Sequence, residues 1–304
     1  MIGCFGKLPA SADFVSLHGA ADEVCEFDAW VQGSLAAMRH RPDWQALFDP
    51  LPVCFFSFRA SNGNWLLGGM LSSRDASERR YPFYIFQLIR GQGDEPLVNP
   101  FTLSELFCAQ IRPLLHQAVH GACSTALFER IKALRALQAQ DVDLYRRVHA
   151  KFLHDFTLAD IATALRGAWP AFDSQKTVAW LRALKPVLRA GCEAGIALPL
   201  PAERGLKNPT ADLWVSWLTR LGAADGVPSI SLLADDFMHP KLYCLPWRHG
   251  NNAYRLLTGT SEPDQHLDLL THEASTGAPR PFDIDRSLDH LIDHCVDAPD
   301  ALFA

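Results

Sequence analysis

The feature that most restricts the fold is a nearly unbroken apolar segment from Tyr81 to Ile89. A strand of this kind is covered on both faces, because a solvent-facing side would introduce alternating polar residues. Two further strand candidates, Val53–Phe58 and Trp65–Leu71, precede it and are joined by a Ser-Asn-Gly-Asn turn at 61–64. The connections are short, so the sequence predicts a largely antiparallel sheet that needs helices on both sides.

Helical periodicity flanks these strands. Apolar residues recur every three or four positions after Asp22, which predicts a helix with Asp22 as its N-cap. A second helix is predicted from Thr102, because Glu105 stands three positions later as in a capping box. Pro113 should kink this helix or end it near Arg112, since proline cannot donate the interior hydrogen bond.

The middle of the chain, residues 124–195, carries helical patterns only, and Pro186 marks a break within it. The predicted N-caps of its helices are Ser124, Asp141, Thr157 and Ser174. Strand patterns return at 196–200, 228–233 and 242–246, with a predicted helix at 211–221. The polar segment 262–280 predicts a loop or linker.

Strands near both ends of the chain, separated by helices, predict an α/β (α+β) fold. We expect a three-layer α-β-α sandwich around a mixed, largely antiparallel sheet. Residues 1–122 would form the core of one domain spanning 1–304, residues 123–195 a helical elaboration, and residues 196–304 the strands and helices that complete the sheet. A division into two domains near residue 122 is the alternative.

Composition limits the class of partner. A formal charge of −6 argues against broad binding to nucleic acid or anionic membranes, which requires a basic surface. No segment approaches the roughly 20 apolar residues of a membrane helix, and the N-terminus lacks the pattern of a secretory leader. The eight cysteines are scattered without a C-x-x-C pair, as in a reducing compartment. We therefore expect a cytoplasmic protein without membrane insertion.

Patterns for catalysis or cofactor binding are weak. Gly6-Lys7 lacks the earlier glycine and the following hydroxyl of a phosphate loop. The glycine-flanked cysteine segment 191–195 follows helix-forming residues and is better interpreted as a helix end than as a nucleophile elbow. His290 and His294 lie four apart beside the apolar stripe of a predicted helix, which favours surface histidines over metal ligands. The sequence predicts no catalytic residue, no metal and no cofactor.

Asp75 and Arg79 lie four residues apart in the polar segment between two predicted strands. Their side chains can pair across a turn. One interpretation is an ion pair that orders the loop, worth about 0–1 kcal/mol if exposed. The other is a polar site at the mouth of the sheet.

Three blocks in the first 90 residues carry a resemblance to a known family. They are Gly3-Cys4-Phe5-Gly6-Lys7-Leu8-Pro9 followed by Asp13-Phe14, then Phe27-Asp28-Ala29-Trp30-Val31-Gln32 with Leu35, and Gly69-Met70-Leu71-Ser72-Ser73-Arg74-Asp75 with Arg79 and Tyr81-Pro82. In this order they resemble the motifs of TagF (ImpM-like) proteins. The family's motifs carry arginine and glycine where Ser11 and Ala12 stand, and glycine where Glu78 stands.

The resemblance implies a cytoplasmic accessory protein of the bacterial type VI secretion system. TagF proteins have an α-β-α layered fold and act as post-translational negative regulators of the apparatus, together with a forkhead-associated scaffold protein. By this resemblance the candidate residues for partner binding are those of the shared motifs: Lys7, Asp13, Trp30, Asp75 and Arg79. The segments 9–18 and 72–80 are the expected contact surface.

Two other functional classes remain open at this stage. One is an enzyme whose polar site is built from Lys7, Asp13, Asp75 and Arg79. The other is a structural subunit of the secretion apparatus.

Overall fold

The computed structural model describes residues 1–91, 97, 99–190, 194–222, 230–245, 252–262, 265–271 and 283–297. Its strands are β1 (Ile2–Gly6), β2 (Val15–Leu17), β3 (Cys54–Arg59), β4 (Trp65–Leu71), β5 (Phe83–Ile89), β6 (Gly195–Pro199), β7 (Ile230–Ala234), β8 (Lys241–Leu245) and β9 (His266–Asp268). Its helices are α1 (Asp22–Met38), α2 (Trp44–Phe48), α3 (Pro100–Val119), α4 (Ser124–Lys132), α5 (Ala139–Asp155), α6 (Leu158–Ala168), α7 (Ser174–Arg189), α8 (Arg204–Leu221), α9 (Ala253–Leu257) and α10 (Leu288–Asp297).

The described strands form one sheet in the order β2-β1-β5-β4-β3-β7-β8-β6-β9. Every neighbouring pair is antiparallel except β6 and β9, which are parallel. The early and late parts of the chain meet where β3 pairs with β7, with Phe55 opposite Leu233. The predicted mixed, largely antiparallel sheet is thus confirmed. The domain boundaries near residues 122 and 195 stay predictions.

Side chains alternate between the two faces of the sheet and build a hydrophobic core on each. In β3, Phe56 and Phe58 contribute to the core under α1, α2 and α9, whereas Phe55 contributes to the other core. The rings of Phe27 on α1 and Phe56 stack at 4.4 Å between centroids. The helices α3 to α8 and α10 cover the second face. The expected α-β-α layering is confirmed.

Two predicted helix starts are wrong. The N-cap of α1 is Ala21, and Asp22 is the first residue inside the helix, where its charge favours the positive end of the helix dipole. Helix α3 begins before Thr102, so the predicted capping box is absent. The N–H groups in its first turn bond to a residue of another helix. The carboxylate of Asp212 on α8 accepts hydrogen bonds from the N–H groups of Phe101 (2.9 Å) and Thr102 (2.7 Å).

Neither Pro113 nor Pro186 ends its helix as predicted, and a kink at Pro113 stays a prediction. Helix α3 continues through Pro113 and α7 through Pro186. Each proline lies on the exposed side of its helix, where water can satisfy the carbonyl that loses its amide partner.

Of the predicted N-caps in the helical segment, Thr157 is confirmed, with a capping box to Asp160. The caps of α4, α5 and α7 are instead Cys123, Gln138 and Asp173. Residues 191–193, 272–280, Pro228, Pro246 and the side chain of His294, on which other predictions rest, lie outside the described residues. Within the described part of the chain, no helix is both long and apolar enough to cross a membrane.

Candidate functional site

Two loops carrying the shared motifs meet at one end of the sheet. The first, residues 7–14, follows β1, and the second, residues 72–82, connects β4 to β5. Because β1 pairs with β5 so that Gly6 lies opposite Phe83, the chain leaves β1 next to the point where it enters β5. The sheet register therefore places Lys7 beside Asp75, 68 residues later.

Asp75 is the centre of an ion-pair cluster, formed by Lys7, Asp75 and Arg79. Its Oδ2 accepts hydrogen bonds from Lys7 Nζ at 2.9 Å and Arg79 Nε at 2.7 Å. Its Oδ1 accepts hydrogen bonds from the backbone N–H groups of Ser77 and Arg79, both at 2.9 Å. The Asp75 carboxylate is buried and the Lys7 amine nearly so. The predicted pairing of Asp75 with Arg79 is present, and Lys7 joins it.

These contacts decide the ionisation of Asp75. Burial by itself would raise the pKa of the carboxyl group, because it removes water from the charged form. The hydrogen bonds from Lys7, Arg79 and Ser77 outweigh burial and hold the pKa of Asp75 well below its usual range. Asp75 is therefore charged at neutral pH and is fully engaged by its own neighbours.

The same residues tie the two loops together. Ser73 Oγ donates to the Lys7 carbonyl at 2.7 Å, and the Ala76 N–H donates to the Ser11 carbonyl at 2.9 Å. Arg79 Nη2 donates to the Ala12 carbonyl at 2.6 Å and lies 3.8 Å from the carboxylate of Asp13. These hydrogen bonds join the two loops, and charged side chains lie on their outer side.

An aromatic side chain lies over this cluster. The Phe14 ring is 45% exposed, stacks on Phe5 at 5.2 Å and meets Tyr81 edge-on at 5.0 Å. Lys7 Nζ lies 5.1 Å from its centroid, in cation–π range. Phe14 was not among the candidates from sequence, although its position in the first motif was a signal. We call the exposed side chains of Asp13, Phe14, Glu78 and Arg79 the motif surface.

Close backbone approach explains a glycine of the first motif. Gly6 has a φ of +134°, and a Cβ there would lie 2.2 Å from the Pro82 carbonyl oxygen, so only glycine fits between the two loops. Glu78 also has a positive φ, +61°. Glycine adopts this left-handed conformation without the steric cost that a Cβ brings.

Trp30 lies apart from the ion-pair cluster. It is buried on α1 in the core beneath the sheet, with its ring 5.8 Å from that of Phe27. Helix α1 is nevertheless tied to the second loop, because the Tyr81 hydroxyl donates to the Asp28 carboxylate. The structure thus brings together Lys7, Asp13, Asp75 and Arg79 but leaves Trp30 as a core residue.

The cluster offers limited chemistry to a small ligand. The Lys7 amine and the Asp75 carboxylate are buried against each other, so neither faces solvent as a nucleophile or base. A groove of about 430 Å³ lies between residues 106–110 and 135–145. None of Lys7, Asp13, Asp75 and Arg79 lines it. In the described residues no three His, Cys, Asp or Glu side chains are grouped to hold a metal ion.

Comparisons with known proteins relate the N-terminal part of the chain, including both loops, to one family. Residues 3–134 match the model of the TagF N-terminal domain, described as type VI secretion system-associated. Among solved structures, the crystal structure of PA0076 from Pseudomonas aeruginosa PAO1 is 22% identical to the chain, with a TM-score of 0.38. That alignment covers 45% of this chain and 63% of PA0076. No curated protein matches the chain.

Proposed function

Because residues 3–134 are a TagF N-terminal domain, which is associated with type VI secretion, we propose that the chain regulates this system by binding another protein. The proposed action is negative and post-translational: the bound chain restrains assembly of the apparatus. The proposed partner is a cytoplasmic component of the system, with a forkhead-associated scaffold protein as the first candidate.

The observation that carries this proposal is how the motif residues are used. Two buried charged residues of the motifs, Lys7 and Asp75, pair with each other and hold the two loops in place. These loops carry the motif surface, in which the charged residues Asp13 and Arg79 lie beside the Phe14 ring. A fixed aromatic group surrounded by polar residues is typical of the energetic centre of a protein–protein interface.

The alternative function is that of an enzyme, because the side chains of Lys7, Asp13, Asp75 and Arg79 are adjacent. Its polar site would need Lys7 or Asp75 to be released from the other before either could act on a substrate. We propose no catalytic role for them, since that release would leave a buried charge without a partner.

The proposal is tested with the purified full-length chain and the purified forkhead-associated scaffold from the same cell. The double variant Asp13→Ala with Phe14→Ala should bind the scaffold at least about tenfold more weakly in calorimetry, because it removes the centre of the motif surface. Asp13 is exposed and Phe14 lies outside both hydrophobic cores, so the variant should keep the fold, and a cooperative thermal unfolding transition checks this.

Val187→Ala is the control, since it truncates another exposed apolar side chain, on α7. In cells, deletion of the protein should increase secretion, and the double variant should not restore repression. A wild-type chain that binds no component of the apparatus, or a double variant of full affinity, contradicts the proposal.

A further inference from the structure

Exposed large apolar side chains are concentrated in two places on the described surface, outside the motif surface. Phe237 and Met238 form the tip of the β7–β8 hairpin. Leu106 on α3 lines a groove to which α5 contributes Asp141 and Tyr145, and α5 also exposes Leu144 and Val148. One feature is convex and the other is concave.

The hairpin tip is exposed, and hydrogen bonds define its turn. Phe237 is 86% exposed and Met238 is 61% exposed. The Asp236 carboxylate accepts hydrogen bonds from the N–H groups of Met238 at 2.7 Å and His239 at 2.8 Å, which fixes the turn. At the base of the hairpin, Asp235 is bound by Lys207 and by Arg112 of α3. The two apolar side chains are therefore held outward rather than folded onto the protein.

The groove has the size and character to receive such a tip. Its volume is about 430 Å³, and apolar and aromatic side chains form most of its wall: Leu106, Phe107, Leu137 and Tyr145. Arg135, whose side chain is largely exposed, lies at its edge and pairs with Asp141 at 2.9 Å. The tip carries the opposite charge, on Asp236, next to Phe237.

We propose that the occupant of the groove is the hairpin tip of a second copy of this chain. Tip and groove flank the same helix, because α3 holds the hairpin base through Arg112 and lines the groove through Leu106 and Gln110. In a two-fold arrangement, each tip would enter the groove of the other copy. The surface charge also favours a protein over an anionic bilayer as the partner, given the net charge of −6 and the Asp236 carboxylate beside the tip.

The contact area predicts a weak dimer. An inserted phenylalanine buries about 150–250 Å², so the two phenylalanines supply about 300–500 Å² of the roughly 1,000 Å² that a stable interface needs. The dimer should therefore form reversibly with concentration. This inference does not depend on the proposed regulatory function.

The test measures the mass of the full-length chain by sedimentation equilibrium over a concentration series. We expect a reversible transition from 33.7 kDa to twice that mass. Phe237→Ala with Met238→Ala, and separately Leu106→Arg, should each weaken the dimer by about thirtyfold or more. All three side chains are exposed, so these variants should keep the fold, while Val187→Ala should dimerise like the wild type.

Cross-linking identifies the contact itself. With the photoreactive substitution Phe237→p-benzoylphenylalanine, irradiation should join the tip to peptides from α3 or α5 of the other copy, and Leu106→Arg should abolish that product. A wild-type chain that stays monomeric at its highest soluble concentration overturns the proposal. Dimerisation unaffected by the tip and groove variants, or cross-links only to other peptides, also overturns it.

Discussion

At the scale of single residues, Glu78 adopts a backbone conformation that its side chain disfavours. Its φ is +61°, and a left-handed conformation costs a residue with a Cβ roughly 1–2 kcal/mol relative to glycine. The ion pair that Glu78 forms with Arg74 at 2.7 Å offsets little of this, because both side chains are more than half exposed.

Glu78→Gly should therefore stabilise the protein. We expect a gain of about 0.5–1 kcal/mol, since the greater freedom of glycine in the unfolded chain cancels part of the relief. The measurement is the free energy of unfolding in urea. Glu129→Gly, in the exposed part of α4, makes the same chemical change at ordinary helical geometry and should destabilise by about 1 kcal/mol. Equal signs for the two variants would refute the argument from backbone geometry.

The candidate residues show what sequence can predict at this scale. The pairing of Asp75 with Arg79 is local, so a spacing of four residues was enough to predict it. The third member, Lys7, is 68 residues away and reaches Asp75 only through the register of β1 on β5. Phe14 was overlooked because exposure of an aromatic ring depends on tertiary packing rather than on local pattern.

At the scale of secondary-structure elements, α3 and α8 are coupled by a buried carboxyl group. Asp212 on α8 accepts hydrogen bonds from the backbone N–H groups of Phe101 and Thr102, at the start of α3. Burial raises the pKa of Asp212 to about 7. The unfolded chain ionises this group near pH 4. Because the folded pKa is the higher one, the folded state favours the protonated form. Its contribution to stability is complete below pH 4 and is lost as the pH rises through 7.

Asp212→Asn removes this titration. The stability of the variant relative to the wild type should be about 2–3 kcal/mol greater at pH 8 than at pH 5. The cost of changing one hydrogen bond is the same at both pH values and does not affect this difference. Urea unfolding at both pH values measures this difference. Asp143→Asn, at an exposed position of α5, is the matched control for losing one carboxylate. A stability difference independent of pH would exclude Asp212 as the titrating group.

Strands were easier to predict than helix ends. The hairpin strand β4 has the predicted bounds, because its apolar run and its turn are both local signals. The start of α3 depends on an acceptor that is more than 100 residues away, and Pro113 and Pro186 fit inside helices only because their sides of those helices face water.

At the scale of the whole molecule, residues 3–134, which match the model of the TagF N-terminal domain, contact the rest of the chain extensively. Strand β3 pairs with β7 along five residues, and α3 packs on α8. A fragment of residues 1–134 would expose both surfaces, including the apolar edge of β3. We expect it to aggregate or to unfold without a cooperative transition, whereas the full chain unfolds cooperatively. Calorimetry of both distinguishes these outcomes, and a sharp transition in the soluble fragment would contradict the expectation.

The pairing of β3 with β7 also has a consequence during translation. The ribosome releases β3 about 170 residues before β7, which at roughly 5–20 residues per second is a delay of about 10–30 seconds. Throughout that interval the nascent polypeptide carries an incomplete sheet in which β3 is an apolar edge strand, unpaired on the side that β7 later occupies, the kind of segment that chaperones recognise. Yield in the cell should thus depend on elongation speed and chaperone supply more strongly than the stability of the finished protein suggests.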